Sequence, residues 1–316
     1  MSPEYLHDHP EFHDLLRAVE HQNNIDRALV EKDYWIMHCL YGLQKAGFEF
    51  ELKGGTSLSK GYQIIHRFSE DIDIRIEPPD DMDVKTGKNH TKPVHCEGRR
   101  KYYDWLAHKI KIDGINRVTR DAEFDNETYL SGGIRLEYGS AFPVPEGIKE
   151  GVLLELGFDD VTPNQPIDIS SWAFDFAQEK GMKVKDNRAL GVKCYHPGYT
   201  FVEKLQTIIT KFRKQQETGL FPANLLRHYY DVFCLLKNDA VQGFIGTSDY
   251  EAHKKKRFPA TDRQIPVSKQ EALLLKDAQT RKQYEREYKK TAVLYYQGQP
   301  LFDEILGTIA KNLARL

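Results

Sequence analysis

The chain has 316 residues, 40% of them hydrophobic and 29% charged, and its 45 lysines and arginines nearly balance 47 aspartates and glutamates for a formal net charge of −2. That length accommodates two domains and a sizeable core, and the charge balance excludes a strong overall pull on nucleic acid, leaving such contact to local patches. No run of about 18 apolar residues occurs, which excludes a transmembrane helix.

The amino-terminal MSPEYLHDHPEF is acidic and polar, unlike a signal peptide. Cys39, Cys96, Cys194 and Cys234 are scattered without C-x-x-C spacing and read as free thiols of a reducing cytoplasm. His7, His9 and His13 cluster near the start, where a frayed or helical terminus explains them better than a metal does. Residues 25–46 read as a helix, with Asn24 as cap and Gly47 as stop. Phe48, Phe50 and Leu52 alternate with Glu49, Glu51 and Lys53, which predicts a strand. A second strand is predicted at 71–76. Residues 77–95 are polar and rich in breakers, a long loop that closes over substrate or is disordered. A helix at about 97–112 and strands near 115–122, 133–138 and 151–158 complete a mixed sheet. Pro163 and Pro166 break the pattern before a short helix near 172–180. From Pro197 onward the chain reads as helical, with interruptions near 219–223 and 258–267. The boundary near 190–197 separates a mixed α/β domain from a helical one, with substrate expected in the cleft between them.

The chemistry concentrates in residues 54–73, GGTSLSKGYQIIHRFSEDID. In DIDIRI, the isoleucines at 72, 74 and 76 face a core, so Asp71 and Asp73 share the other face, roughly 6.5–7 Å apart along the strand. Two such carboxylates can converge on metal ions about 3.5–4 Å apart, and Mg²⁺ accepts one or two carboxylates plus substrate phosphates. A solvated edge-strand face also shows this pattern. Upstream, Gly54 and Gly55 permit a tight or left-handed turn, Thr56 or Ser57 can cap the helix that follows, and a helix N-terminus offers N–H groups to phosphate. The spacing is not that of a Walker A loop. The order of strand, Gly-Gly-hydroxyl, short helix and Asp-x-Asp strand is the specific feature, because it sets a phosphate cradle beside metal carboxylates. Glu155 is the single acid in VLLELGF (152–158), a run that reads as a buried strand, and a lone carboxylate there needs a salt-bridge partner or a metal. Ser69 would share the Asp face if the strand began that early. Residues 199–216 read as an amphipathic helix burying Phe201, Leu205, Ile208, Ile209 and Phe212. On it Lys204 and Lys211 lie on one face about 10.5 Å apart, placed either to neutralise phosphate or merely to be solvated. Arg227 and Asp231, four apart on a helix, can pair with each other. Basic and aromatic residues interleave at 99–111 and 281–290, and 254–257 is Lys-Lys-Lys-Arg. These are RNA-contact candidates or solvated helix faces over core tyrosines.

Taken together, these residues resemble the AbiEii-type nucleotidyltransferases (AbiEii/AbiGii) of the polymerase-beta-like superfamily, the toxin halves of bacterial toxin–antitoxin and abortive-infection systems. VEKDYW (30–35) looks like the family's amino-terminal helix and KGGTSLSKGY (53–62) like its first motif. RFSEDIDI (67–74), HPGYTFVEKLQTI (196–208) and RHYYDVFCL (227–235) are similar to the second, third and fourth. The resemblance implies an α+β fold, with a nucleotidyltransferase-like mixed sheet flanked by helices in a catalytic domain over 1–195 and a mostly helical domain over 196–316. It implies catalytic roles for Asp71, Asp73, Lys204 and Asp231, with Mg²⁺, as two ions, on Asp71, Asp73 and Glu155. The NTP substrate would meet Gly54, Gly55, Thr56, Ser57, Lys60, Arg67, Ser69, Lys204 and Lys211. In the fourth motif Tyr230 replaces a lysine and Cys234 replaces an acid found in some members, which favours Asp231 positioning Lys204 over acting as a base. The implied acceptor is the 3′ end of tRNA, in the cytoplasm, with a cognate antitoxin as protein partner and no membrane role. The alternatives are transfer to a protein hydroxyl, modification of an antibiotic, and a non-catalytic module that binds nucleotide or antitoxin.

Overall fold

In the computed structural model, which describes residues 3–143, 145 and 148–316, the period-two pattern of 71–76 is a strand, β2 (Asp71–Ile76). Ile72, Ile74 and Ile76 are buried, while Asp71, Asp73 and Arg75 between them stay partly exposed. One neighbour is β1 (Phe50–Lys53), antiparallel, and the other is β5 (Val152–Gly157), parallel. Four more strands, β3 (Ile115–Asp121), β4 (Ser131–Tyr138), β6 (Asn164–Ile169) and β7 (Ala189–Tyr195), complete a seven-stranded mixed sheet of order β3-β4-β5-β2-β1-β7-β6. The carboxylate strand therefore lies mid-sheet, where its backbone is paired on both sides and its side chains are held in register.

The chain divides into two compact units. The first comprises Met1–Gly61 and Ser69–Tyr195, and the second Tyr62–Phe68 and His196–Leu316. Residues 62–68, which the sequence reading assigns to the first domain, pack with the helical unit. Besides the sheet, the first unit holds α1 (Phe12–Asn23), α2 (Arg27–Lys45), α3 (Gly54–Thr56) with a wider turn at Ser57–Gly61, α4 (Pro93–Lys109) and α5 (Trp172–Glu179). The second holds α6 (Pro197–Thr218), α7 (Leu225–Leu235), α8 (Asp239–Phe244), α9 (Ser248–Arg257), α10 (Glu271–Leu274), α11 (Ala278–Lys289) and α12 (Phe302–Asn312). In that unit α6 packs on α7 and α9 through Phe201, Leu205, Ile208 and Ile209, all buried. Among the described residues the four cysteines are unbridged, and no helix is long and apolar enough to cross a membrane.

Several elements differ from expectation for identifiable reasons. Asn24 does not cap α2. It ends α1 in a left-handed conformation (φ 53°), and Asp26 caps α2 by accepting from the Ala28 N–H at 2.8 Å. The prolines of 163–166 hide a strand, because β6 is the edge of the sheet and tolerates Pro166 opposite Lys193. The segment 77–95 is neither helix nor strand over most of its length, yet it is pinned: the fully buried Arg99 guanidinium donates to the carbonyls of Lys85 (2.6 Å), His90 (3.0 Å) and Thr128 (2.8 Å). His7 sits against Tyr34, its Nδ1 2.7 Å from the hydroxyl.

Packed on α1, α5, β5 and β7, α2 is buried on nearly all sides, as expected of a helix apolar around its circumference. Yet Glu31, Lys32 and Asp33 within it are charged and buried. Each must therefore be satisfied. Glu31 accepts from the Ala141 N–H at 2.8 Å and the Ser140 hydroxyl at 3.2 Å. Asp33 takes the Lys60 ammonium at 2.8 Å on one oxygen and the first amide of α5, Trp172 N–H, at 2.9 Å on the other. Removing that carboxylate in Asp33→Ala takes a partner from the mostly covered Lys60 ammonium and from the Trp172 N–H, while Ser171 still caps α5 at the Phe174 N–H. We expect a loss on the order of 3–5 kcal/mol in urea unfolding; a change within about 0.5 kcal/mol would show that the pair is not structural.

Candidate active site

Three carboxylates meet on one face of the first unit's sheet. Asp73 stands opposite Glu155 across the parallel β2–β5 pair, and Asp71 precedes it by one strand period. Partners in register share a face, which sets the Glu155 and Asp73 carboxyls side by side. Burial first, then the charges of Asp73 and Asp71, push the Glu155 carboxyl up to about 8. Burial also raises Asp71, with Asp73 and Glu70 adding to the effect and Lys149 opposing it. One Asp71 oxygen, Oδ2, lies 3.4 Å from the Lys149 ammonium, while Oδ1 is buried without a hydrogen-bond partner. Like charges at this spacing in a half-dry setting require a cation or a shared proton. Among the described residues no group of three or more His, Cys, Asp or Glu side chains is placed to hold a metal ion by itself. Mg²⁺ does not need such a group, because it takes few carboxylates and fills its shell with water and phosphate oxygens. An open set with an orphaned oxygen fits that ion.

The glycine turn is built against these acids. Lys53 pairs with Asp73 in the β1–β2 ladder, and Gly54 follows with φ +70°. A Cβ on Gly54 would stand 1.9 Å from Asp73 Oδ2, so the position needs glycine for both its backbone and its space. Gly55 is buried in the turn. Thr56, expected on phosphate, instead donates its hydroxyl to the Asp71 carbonyl at 2.5 Å and so ties the turn to the start of β2. Ser57 is fully buried beside the Cys194 thiol. Any contribution of this turn to phosphate therefore falls to its backbone. Lys60, also expected on phosphate, neutralises Asp33. Ser69 lies ahead of β2, which begins only at Asp71, so it does not share the Asp face by strand alternation.

Behind the acids runs a chain of charges that sequence reasoning missed. Lys32 on α2 lies 3.8 Å from Glu70, and both are buried. Glu70 accepts the Lys149 N–H at 2.9 Å, and the Lys32 ammonium donates to the Lys149 carbonyl. Burial pulls the Lys32 ammonium down to about 8, against Glu70 and Asp71. Two signals existed in the sequence: charges inside an otherwise apolar helix, and an acid on the core-facing side of Asp71. Nothing marked Lys149, which sits in an irregular loop.

The second unit carries the other residues. Arg67, expected on nucleotide, is buried and grips Asp231 on α7 with two hydrogen bonds, Nε to Oδ1 at 2.7 Å and a terminal nitrogen to Oδ2 at 2.8 Å. Lys204 on α6 approaches the same carboxylate at 3.0 Å. Burial would raise Asp231, but the charges of Arg67 and Lys204 outweigh it and hold the carboxyl far below its usual range. An acid so stabilised as an anion is a poor proton acceptor, and this one is ion-paired with Lys204. Burial and Lys204 keep His228 neutral by lowering its imidazole well below the ordinary value. Lys211 donates to the Ala223 carbonyl at 2.9 Å. In the basic-aromatic segments Tyr102, Tyr103, Tyr284 and Tyr288 are core residues, so they offer no stacking platform.

A model of the nucleotidyl transferase AbiEii toxin family, from type IV toxin–antitoxin systems, matches residues 38–308. The chain belongs to this family. It is thus an enzyme of the nucleotidyltransferase class with an α+β fold. Among solved structures it is similar to MenT4, a nucleotidyltransferase toxin from Mycobacterium tuberculosis H37Rv, at a TM-score of 0.55 and 13% identity, covering 95% of this chain and 88% of that one. At that identity the likeness speaks for the fold. No curated protein matches the chain.

In this AbiEii-family chain, Gly54→Ala forces a methyl group into Asp73, and we expect activity to fall at least about tenfold, with binding of Mn²⁺ weakened in parallel; wild-type metal binding would count against the steric argument. The metal-free protein should also show the strain of its acids. Because the folded Glu155 carboxyl lies above its unfolded value of 4.5, the unfolded state sheds its proton first as pH rises, and stability falls between about pH 4.5 and 8. In chelator-treated protein Glu155→Gln should therefore raise the melting temperature at pH 8 by about 5 °C, with the gain vanishing near pH 4.5. An equal gain at both pH values would refute this origin.

Proposed function

We propose that the protein transfers a nucleoside monophosphate from an NTP to an acceptor hydroxyl at the 3′ end of tRNA, releasing pyrophosphate, with Asp71 and Asp73 as the principal metal ligands and Glu155 as the third. The observation that carries this reading is the convergence of these acids, with one orphaned oxygen, against a glycine that only an absent side chain permits. Mg²⁺, as two ions, would supply neutralisation of the polyphosphate and activation of the attacking hydroxyl. The chain's own residues then orient. Thr56 fixes the strand that presents Asp71. Gly54 and Gly55 leave room for phosphate. Lys204, held by Asp231 at 3.0 Å, keeps further N–H donors for an anionic oxygen. Lys211 is a weaker candidate, as its ammonium already meets a carbonyl.

Membership of a toxin family supports an acceptor whose modification halts growth, and blocking the aminoacylation end of tRNA does that. It also supports a cognate antitoxin as protein partner and action in the cytoplasm, where NTPs and tRNA reside. We expect Asp71→Ala and Asp73→Ala to lower transfer by at least about a hundredfold without unfolding the protein; full activity in both variants would remove the metal site from the mechanism. Incubation of the protein with labelled NTPs and a cell lysate should yield label that nuclease releases and that sequencing places on tRNA 3′ ends. Label released by protease alone would assign a protein acceptor instead.

A further inference from the structure

Lys149 is held in an unusual way. It lies in the loop between β4 and β5, where exposed side chains ordinarily wander, yet its backbone is gripped at both polar groups. Its N–H donates to Glu70 at 2.9 Å, and its C=O accepts from Lys32. Glu70 and Lys32 are each 2% exposed and lie 3.8 Å apart. A buried ion pair is a poor way to stabilise a fold, since apolar residues of the same volume do as well or better. Here both of its ends bind the backbone of one loop residue, at the two peptide groups that flank it. The consequence is local: the Lys149 ammonium is delivered to Asp71 Oδ2 at 3.4 Å and lies 4.7 Å from the centre of the Phe124 ring. Its side chain remains about one-third exposed, so the charge sits at the mouth of the carboxylate cluster and not inside it.

We propose that Lys149 is a built-in counter-cation and triphosphate ligand: it balances Asp71 before metal enters, yields that oxygen to the metal, and then binds a non-bridging oxygen of the polyphosphate. This rests on the reading of Asp71, Asp73 and Glu155 as the metal site. The same ammonium cannot serve Asp71 and a metal-bound Asp71 equally, because cation–cation repulsion replaces the ion pair once a divalent ion is present. Released from Asp71 but still tethered by its clamped backbone, it is left beside the position into which a metal-borne triphosphate must come. Lysine suits this role as a mobile point charge with three donors. The Lys32–Glu70 pair makes both residues positioning residues, acting through Lys149.

The test is equilibrium binding on the full chain, with Mn²⁺ followed by electron paramagnetic resonance and a non-hydrolysable α,β-methylene NTP followed by calorimetry. Lys149→Met should bind Mn²⁺ alone about two- to fivefold more tightly than wild type, the amount a partly exposed ion pair contributes. It should bind the NTP analogue with Mg²⁺ about tenfold or more weakly, the loss of one charge-assisted hydrogen bond. Lys149→Arg should restore much of the nucleotide affinity. A merely structural lysine would move neither constant, and unchanged Mn²⁺ and nucleotide binding in Lys149→Met overturns the proposal. Asp71→Asn separates the two levels of the argument. If it loses Mn²⁺ while Lys149→Met behaves as wild type, the metal site stands and the lysine's role falls. If Asp71→Asn and wild type bind Mn²⁺ alike, the metal site itself falls, and this role with it.

Discussion

The organising constraint of the first unit is electrostatic: three carboxylates on adjacent mid-sheet strands, partly shielded from water, cannot all be ionised side by side without a compensating positive charge. The fold answers this in several ways at once. Burial and the two aspartates push the Glu155 carboxyl up to about 8. Lys149 leans on Asp71. The nearest turn presents glycine, whose missing side chain keeps Asp73 free of steric cover. None of these is what a purely structural sheet would choose. Isoleucine or valine at 71, 73 and 155 would extend the hydrophobic face and remove the penalty. A sheet that accepts this strain at its centre is arranged for a partner of opposite charge, which is how stability is commonly exchanged for function.

Much of this could be read from the residues. The alternation in DIDIRI dictates which side chains face the core, and the structure has Ile72, Ile74 and Ile76 buried with the aspartates on the other face. The single acid in the apolar run 152–158 likewise announced a paired carboxylate, though which partner it meets depends on strand order, and strand order is not local information. The parallel β2–β5 register that sets Glu155 against Asp73 closes over about eighty residues of intervening chain. Strand β6 escaped notice because Pro166 reads as a breaker, and only the edge position of β6 makes it acceptable. Cationic residues were the hardest to place. Lys60, Arg67 and Lys211 all carry the right charge for phosphate, but a charge does not declare its partner, and in the structure they meet Asp33, Asp231 and the Ala223 carbonyl.

The segment 62–68 shows the same limitation at the level of units. By sequence it belongs to the link between the glycine turn and β2. By packing it belongs to the helical unit, because Arg67 finds its counter-ion there. Around that pair the Phe68 N–H donates to the Leu294 carbonyl at 2.7 Å, the His66 N–H to the Tyr230 hydroxyl at 3.3 Å, and Tyr296 to the Ile65 carbonyl at 3.2 Å. A buried arginine left without Asp231 would carry an uncompensated charge, so the two residues stand or fall together. Tyr230, which departs from the lysine of some family members, is here an anchor of this segment.

Asp231 illustrates why the chemistry must be argued from surroundings and not from residue type. A buried aspartate near a lysine invites assignment as a general base, and burial alone would raise its proton affinity toward that role. The two hydrogen bonds from Arg67 and the approach of Lys204 act in the opposite sense and prevail, leaving an anion with little affinity for a proton. What the arrangement does provide is direction: Arg67 fixes the carboxylate plane, and the carboxylate fixes Lys204. In both units, then, an acid is paired with a lysine whose position other contacts or the acid itself hold: the backbone clamp for Lys149, the carboxylate for Lys204. In the first unit the acid keeps one buried oxygen without a hydrogen-bond partner. In the second it is locked, and only the lysine retains donors to offer.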